Sequence, residues 1–210
     1  MPKRVDHEER RTEIAEALVR VAGRQGLHAV GMRDVAAEAG VSLRLVQYYF
    51  QTKEKLLLYG LERLAARFTE RIAARLAAAG DDPGPRAVIE ALLLVSLPTD
   101  EESRTFHLVY TSYAVLSVTD RALADQPFTD NPAAAEDAVA GLLQQAREAG
   151  LTRPGTDPRS DAINLLALAA GLGTSILVGH RTPESATAAL HHQLDGIFLD
   201  GRAGTAPSPA

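Results

Sequence analysis

The chain has 210 residues, 46% hydrophobic and 23% charged, enough to bury one sizeable core or a small domain beside a larger one. It contains no cysteine, which excludes a disulfide framework, a zinc finger, a thiolate metal site and a cysteine nucleophile, and fits a cytoplasmic protein. The net charge of -5 argues against general affinity for nucleic acid, but it is uneven: residues 1–60 hold ten Lys/Arg against eight Asp/Glu, and the rest twelve against nineteen.

Residues 1–9, "MPKRVDHEE", are polar and lack an apolar core segment, so they read as a flexible tail and not as a secretion signal. A first helix follows, with Ile14, Ala17, Leu18, Val21 and Ala22 on one face, stopping near Gly26. Two short helices come next, about Met32 to Ala39 and Leu43 to Phe50. Thr52 caps a long one whose apolar stripe runs Leu57, Leu61, Leu64, Phe68, Ile72, Leu76. "GDDPGP" at Gly80 to Pro85 breaks the chain. Further helices are expected at about Arg86 to Leu97, Glu101 to Val118, Pro132 to Ala149, Arg159 to Val178 and Pro183 to Leu199, with turns such as "DQPFTDNP" between them. Residues 201–210, "GRAGTAPSPA", read as a second flexible tail. The fold class is all-α. Residues 162–179 carry no charge for eighteen positions, at the low edge of a membrane span. Asn164, Thr174 and Ser175 interrupt them and no flanking anchors exist, so a helix buried in protein is the preferred reading and no membrane is expected.

Arg33 to Tyr49 meets the steric demands of a helix-turn-helix. Ala36 is small where two helices cross, Gly40 can take positive φ at the tight turn, Val46 returns to the shared core, and Ser42 caps the second helix. These offsets leave Leu43, Arg44, Gln47 and Tyr48 facing outward, where a recognition helix meets the major groove. Arg44 can then read guanine, Gln47 adenine, and Leu43 or Leu45 a thymine methyl. The competing reading is an ordinary pair of amphipathic helices with a solvated polar face.

With its flanks, "RTEIAEALVRVAGRQGLHAVGMRDVAAEAGVSLRLVQYYFQTKEKLL" resembles the DNA-binding domain of the TetR family of bacterial transcriptional regulators, on the strength of "RDVAAEAGVS", "YYF" and "TKEKLL" together. The resemblance implies a DNA-binding domain at 10–57 and a helical ligand-binding and dimerisation domain at 58–200. It also implies a homodimer on a near-palindromic operator, usually a repressor released by a small molecule. Matched residue by residue, Arg33 and Lys53 fall at frequent DNA contacts, Tyr49 at an aromatic that packs on the DNA backbone, and Leu43, Arg44, Leu45, Gln47 and Tyr48 on the reading face. Ser42 and Thr52 complete the expected DNA-binding set. Arg44, Gln47 and Gly31 depart from the residues common in the family; the first two leave no operator sequence to carry over, and the third replaces a helix-capping threonine and weakens that cap by about a few tenths of a kcal/mol.

In the second half, Glu101 to Val118 brings Phe106, Tyr110 and Tyr113 near one another and sets His107 above Thr111. Together with Phe68 and Ile72 these are expected to line an effector pocket, a boundary core helix being the alternative. Ala167, Gly171, Ser175 and Gly179 recur every fourth residue as a small-residue stripe. With an apolar ridge of Ala186, Leu190, Leu194 and Ile197 they are expected to form the dimer interface, unless the stripe packs within the subunit. His191 and His192 point about 100° apart on a helix and cannot readily chelate one ion, so no metal site is expected. "GLG" lacks a third glycine and a preceding strand, so no nucleotide cofactor is expected. No nucleophile–base pair or carboxylate cluster is evident, which weighs against an all-α enzyme; a ligand-binding adaptor that has lost DNA binding should lack Gly40, Arg33, Arg44 and Lys53, all of which remain.

Overall fold

The structure, a computed structural model, describes residues 3–80, 82–119 and 131–199. The expected tail at 201–210 and residues 125–130 of the turn expected at 125–132 lie outside them, and the last two residues of that turn, Asn131 and Pro132, begin a helix. Nine α-helices run through the described residues: α1 (Lys3–Gln25), α2 (Met32–Glu38), α3 (Leu43–Phe50), α4 (Lys53–Ala79), α5 (Pro85–Ser96), α6 (Glu101–Thr119), α7 (Asn131–Glu148), α8 (Pro158–Leu177) and α9 (Pro183–Ile197). Among those residues β structure is limited to one isolated bridge, Thr152 with Phe198. The all-α expectation therefore holds, because each segment carries apolar residues at helical spacing and most breaks carry Gly or Pro, the joint at Gln51 and Thr52 being an exception.

Two compact units form, one from Met1–Arg71 with Pro98–Asn131 and the other from Ile72–Leu97 with Pro132–Ala210. In the first, α1 contributes Ile14, Ala17, Leu18 and Val21, α2 Val35 and Ala36, α3 Val46 and Phe50, and α4 Leu56, Leu57, Leu61 and Leu64. Val109 and Tyr113 of α6 close the same core. Close approach makes this possible: a Cβ on Gly60 would lie 2.5 Å from the Leu18 side chain, and one on Gly23 3.1 Å from Thr105. In the second unit, Ile89, Leu93 and Leu97 meet Val139, Leu143 and Ala146 of α7, Leu165, Ala169 and Leu172 of α8, and Leu190 and Leu194 of α9.

The organisation differs from the sequence expectation in four places. α1 begins at Lys3, so residues 3–9 of the stretch expected as a tail are helical; Glu8 accepts a hydrogen bond from the Tyr59 hydroxyl at 2.6 Å, a partner fifty-one residues away that no local pattern reveals. The expected boundary at 57/58 falls inside α4, and the first core includes α6, which follows the first half of the second unit in sequence. α8 is not buried all round: about 28% of its apolar window is buried, and Ile163, Asn164, Ala167, Ala170, Gly171 and Thr174 are exposed. Leu190, Leu194 and Ile197 of α9 are 0%, 0% and 5% exposed within the second unit's own core, so they have no surface left for a partner subunit. Their apolar stripe is already satisfied by α5 and α8.

Candidate nucleic-acid interface

α2 and α3 meet across the turn that sequence spacing marks out. Gly40 takes φ +65, the left-handed region that favours glycine, and Val41 N–H closes the turn on the Ala36 carbonyl at 2.9 Å. Gly31 precedes α2 without a capping side chain, but its N–H donates to Asp34 Oδ2 at 3.0 Å, which secures the helix start from the other side. Ser42 Oγ accepts from Leu45 N–H at 3.2 Å and caps α3. Glu38 ties α2 to α1 by accepting from Arg20 Nε at 2.8 Å and from Arg24. The Arg20 and Arg24 bonds together hold its carboxyl below the usual carboxylate range.

α3 has one buried and one exposed face, with half-buried residues between them. Val46 is 0% and Phe50 2% exposed, whereas Arg44 and Gln47 are exposed and Tyr48 is 68% exposed. Arg33 is exposed in the first turn of α2. Leu43 and Tyr49 are half-buried against the first core, so Leu43 faces less fully outward than its spacing suggests, and Leu45 is also half-buried. A large aromatic left mostly exposed beside a guanidinium and a carboxamide gains little from burial in the monomer, and the set supplies base-edge donors, acceptors and an apolar face together.

The joint into α4 carries a feature that residue type does not announce. Gln51 lies at φ 60, ψ -53, and Thr52 N–H donates back to the Phe50 carbonyl at 2.6 Å. That is a three-residue γ-turn of positive φ, a strained form for a side-chain-bearing residue. Lys55 Nζ reaches Gln51 Oε1 at 2.7 Å, and Thr52 Oγ1 accepts from Lys55 N–H at 3.3 Å, capping α4 beside the half-buried Lys53.

The expected effector residues divide. Within the first unit Phe68 stacks on Phe106 with centroids 4.7 Å apart and planes at 13°, and Tyr110 lies 6.0 Å beyond at 7°. Burial raises the Tyr110 hydroxyl above its usual range. Thr111 is half-buried. Tyr113 at 2% and His107 at 8% exposure are interior residues, and Tyr113 belongs to the first core. Ile72 falls in the second unit. Arg71 grips Asp100 with two bonds, 3.1 and 2.5 Å, where the chain leaves the first unit and returns to it. The Arg71 bond, aided by Ser103 N–H, holds the Asp100 carboxyl far below its usual range.

Of the small-residue stripe, Ala167 and Gly171 are exposed and Ser175 is half-buried, its hydroxyl donating to the Gly171 carbonyl at 2.9 Å. Gly179 has a different role. It sits past the end of α8 at φ +73, with its N–H on Ile176 and the His180 N–H on Ser175, the paired bonds of a glycine helix stop. His191 Nε2 lies 3.2 Å from Glu90 Oε1. Among the described residues no group of three or more His, Asp or Glu is placed to hold a metal.

Comparison with known proteins matches both parts of this arrangement. The family described as bacterial regulatory proteins, tetR family, matches residues 14–59, and the one described as BetI-type transcriptional repressor, C-terminal, matches residues 85–199, over half of the chain. The chain belongs to the TetR family. Similar proteins include the HTH-type transcriptional regulator PksA of Bacillus subtilis, 36% identical over 117 residues, 54% of this chain and 56% of its own length. The regulator BetI of Rhizobium meliloti is 37% identical over 101 residues, 48% of each chain. The chain thus spans about half the length of the curated relatives it matches. A transcriptional regulator from Saccharomonospora viridis, solved in complex with choline, shares 26% identity at a TM-score of 0.82, over 92% of this chain and 100% of its own. A TetR-family regulator from Rhodococcus sp. shares 26% identity at 0.76, over 91% and 100%. The tetR-family match at residues 14–59 takes in the whole helix-turn-helix described above.

Proposed function

We propose that the protein is a repressor that binds a near-palindromic operator as a homodimer and is released by a small-molecule effector, acting in the cytoplasm by binding and not by catalysis. The observation that carries the reading is the outward display of Arg44, Gln47 and Tyr48 on a helix whose opposite face, Val46 and Phe50, is fully packed. Arg33, Ser42, Leu43, Leu45, Tyr49, Thr52 and Lys53 flank that face as positioning or phosphate contacts. One short helix reads few base pairs, so two copies about one helical turn apart, roughly 34–36 Å, supply the required specificity.

The exposed, uncharged side of α8 around Ala167, Gly171 and Ser175 supports the subunit contact, since an apolar face of that length is otherwise left in water. The α9 leucines take no part in it. The aromatic stack of Phe68, Phe106 and Tyr110, with the choline complex of the Saccharomonospora relative, supports a quaternary ammonium effector, whose charge is stabilised over aromatic faces. Release requires that the effector bind the DNA-incompetent arrangement more tightly.

Enrichment of duplexes from a randomised pool, followed by gel shift of the winners, tests the reading. Inverted repeats bound by two chains and freed by choline or a bulkier quaternary ammonium are expected. Winners without a repeat, bound by one chain, remove the dimeric operator reading, whereas release by no quaternary ammonium removes only the effector class.

A further inference from the structure

The first turns of α1 end up beside the reading helix. The His7 imidazole meets the Tyr49 ring edge-on, with centroids 4.5 Å apart and planes at 64°, and lies 6.2 Å from the Tyr48 ring. The two tyrosine rings are 5.3 Å apart at 81°. His7 and Tyr48 are both exposed, so the imidazole continues the solvent-facing surface of α3 and is not sheltered beneath it.

Its position is fixed by its neighbour in sequence. Glu8 takes the Tyr59 hydroxyl bond at 2.6 Å and pairs with Arg11 at 3.5 Å, while the Arg11 guanidinium stacks 4.5 Å over the Tyr59 ring. The bond from Tyr59, with Arg11 beside it, holds the Glu8 carboxyl below its usual range. That carboxylate is therefore engaged on α4, and α1 is tethered one residue from His7. A surface histidine with no role would gain little from such support.

Place along α3 decides what the ring meets. Base edges are read near the start of a recognition helix; Tyr49 stands six residues beyond Leu43, about 9 Å along the axis at 1.5 Å per residue. Groups at that end meet the sugar-phosphate wall of the groove, where donors fix register without reading sequence. We propose that His7 is a DNA-contacting residue, its imidazole N–H donating to a backbone phosphate beside the groove that α3 enters, with the Tyr49 ring as the surface that orients it. This rests on α3 being the reading helix. The contact is sequence-independent, so it strengthens every duplex alike and extends the footprint through α1.

The test uses the full chain and two probes: a mixed-sequence 40-base-pair duplex and the duplex enriched by the wild type from a randomised pool. His7→Phe keeps a planar ring on Tyr49 and removes the donor; His7→Ala removes both. Both are expected to weaken both probes by roughly fivefold, the size of one net hydrogen bond, with melting temperature unchanged. Ethylation interference is expected to lose one protected phosphate in each half-site. Wild-type affinity in His7→Phe overturns the proposal, whether or not His7→Ala is weakened, because only ring packing would then matter. Arg44→Ala, run alongside, separates the two readings: loss of sequence preference there with intact His7 variants sinks this inference alone.

Discussion

Replacing Gln51 by glycine tests whether the joint between the reading helix and α4 stores strain. A side-chain-bearing residue at φ 60 is held in a sparsely populated region at about 1–3 kcal/mol, which glycine relieves because it enters positive φ freely. Against this stand the greater freedom that glycine has in the unfolded chain, about 0.5–1 kcal/mol, and the exposed Lys55–Gln51 bond, worth at most about 0.5 kcal/mol. Gln51→Gly should therefore stabilise the first unit by about 1 kcal/mol. Gln51→Ala, which loses the bond and keeps the strain, should destabilise it slightly. The five tyrosines of the chain are Tyr48, Tyr49, Tyr59, Tyr110 and Tyr113, all within the first unit, so near-ultraviolet dichroism on heating follows that unit selectively. For a unit of roughly 100 residues, 1 kcal/mol moves the midpoint by about 4–8 °C. The decisive quantity is the sign of the glycine-minus-alanine difference, since at ordinary loop positions glycine is the less stable of the two. A Gln51→Gly variant that melts below Gln51→Ala would refute the strained turn.

Arg44→Ala and Gln47→Ala should each lose about 1–3 kcal/mol on the enriched operator and little on mixed-sequence duplex, whereas Lys53→Ala should weaken both and lower the salt slope by about one; anisotropy titrations at several salt concentrations distinguish these patterns. Ala167→Glu, on the exposed side of α8, should give a folded monomer by sedimentation, while Leu194→Ala, at a position fully buried in the second core, should cost about 2–5 kcal/mol of stability through the cavity it leaves. Asp100 has its pKa depressed by Arg71, so its stabilising share is present above the unfolded carboxylate value near 4 and is lost as pH falls below that. Asp100→Asn should thus lower stability at neutral pH by no more than about 1 kcal/mol for so exposed a pair, and the gap from wild type should narrow in strong acid.

Helix positions were legible because each apolar stripe has a 3.6-residue period and most ends carry glycine, proline or a capping side chain, the end of α3 at Gln51 being an exception. The turn at Gly40 and the exposed face of α3 followed from the same spacing. What escaped depends on contacts distant in sequence. Nothing in "MPKRVDHEE" signals that Glu8 is held by Tyr59 or that His7 lies on Tyr49. Apolarity alone marks Leu190 and Leu194 as buried without saying by which chain, and they are buried by their own. Gly179 fits a four-residue repeat, yet its φ of +73 gives it a backbone reason to be glycine. Gln51 is not a residue type that advertises positive φ.

The closing of the first core by Val109 and Tyr113 of α6 bears on how the molecule is made and remade. A ribosome adding about 5–20 residues per second releases α3 several seconds before α6, and in that interval the nascent helix-turn-helix lacks its last wall. The residues that complete it arrive only after the intervening Ile72–Leu97, which belong to the other unit, have been synthesised. Exchange of reading heads between related genes faces the same constraint: a crossover placed after α3 would graft new α1 and α2 side chains onto an old α6, and the seam at Gly23 and Thr105 would have to fit by chance.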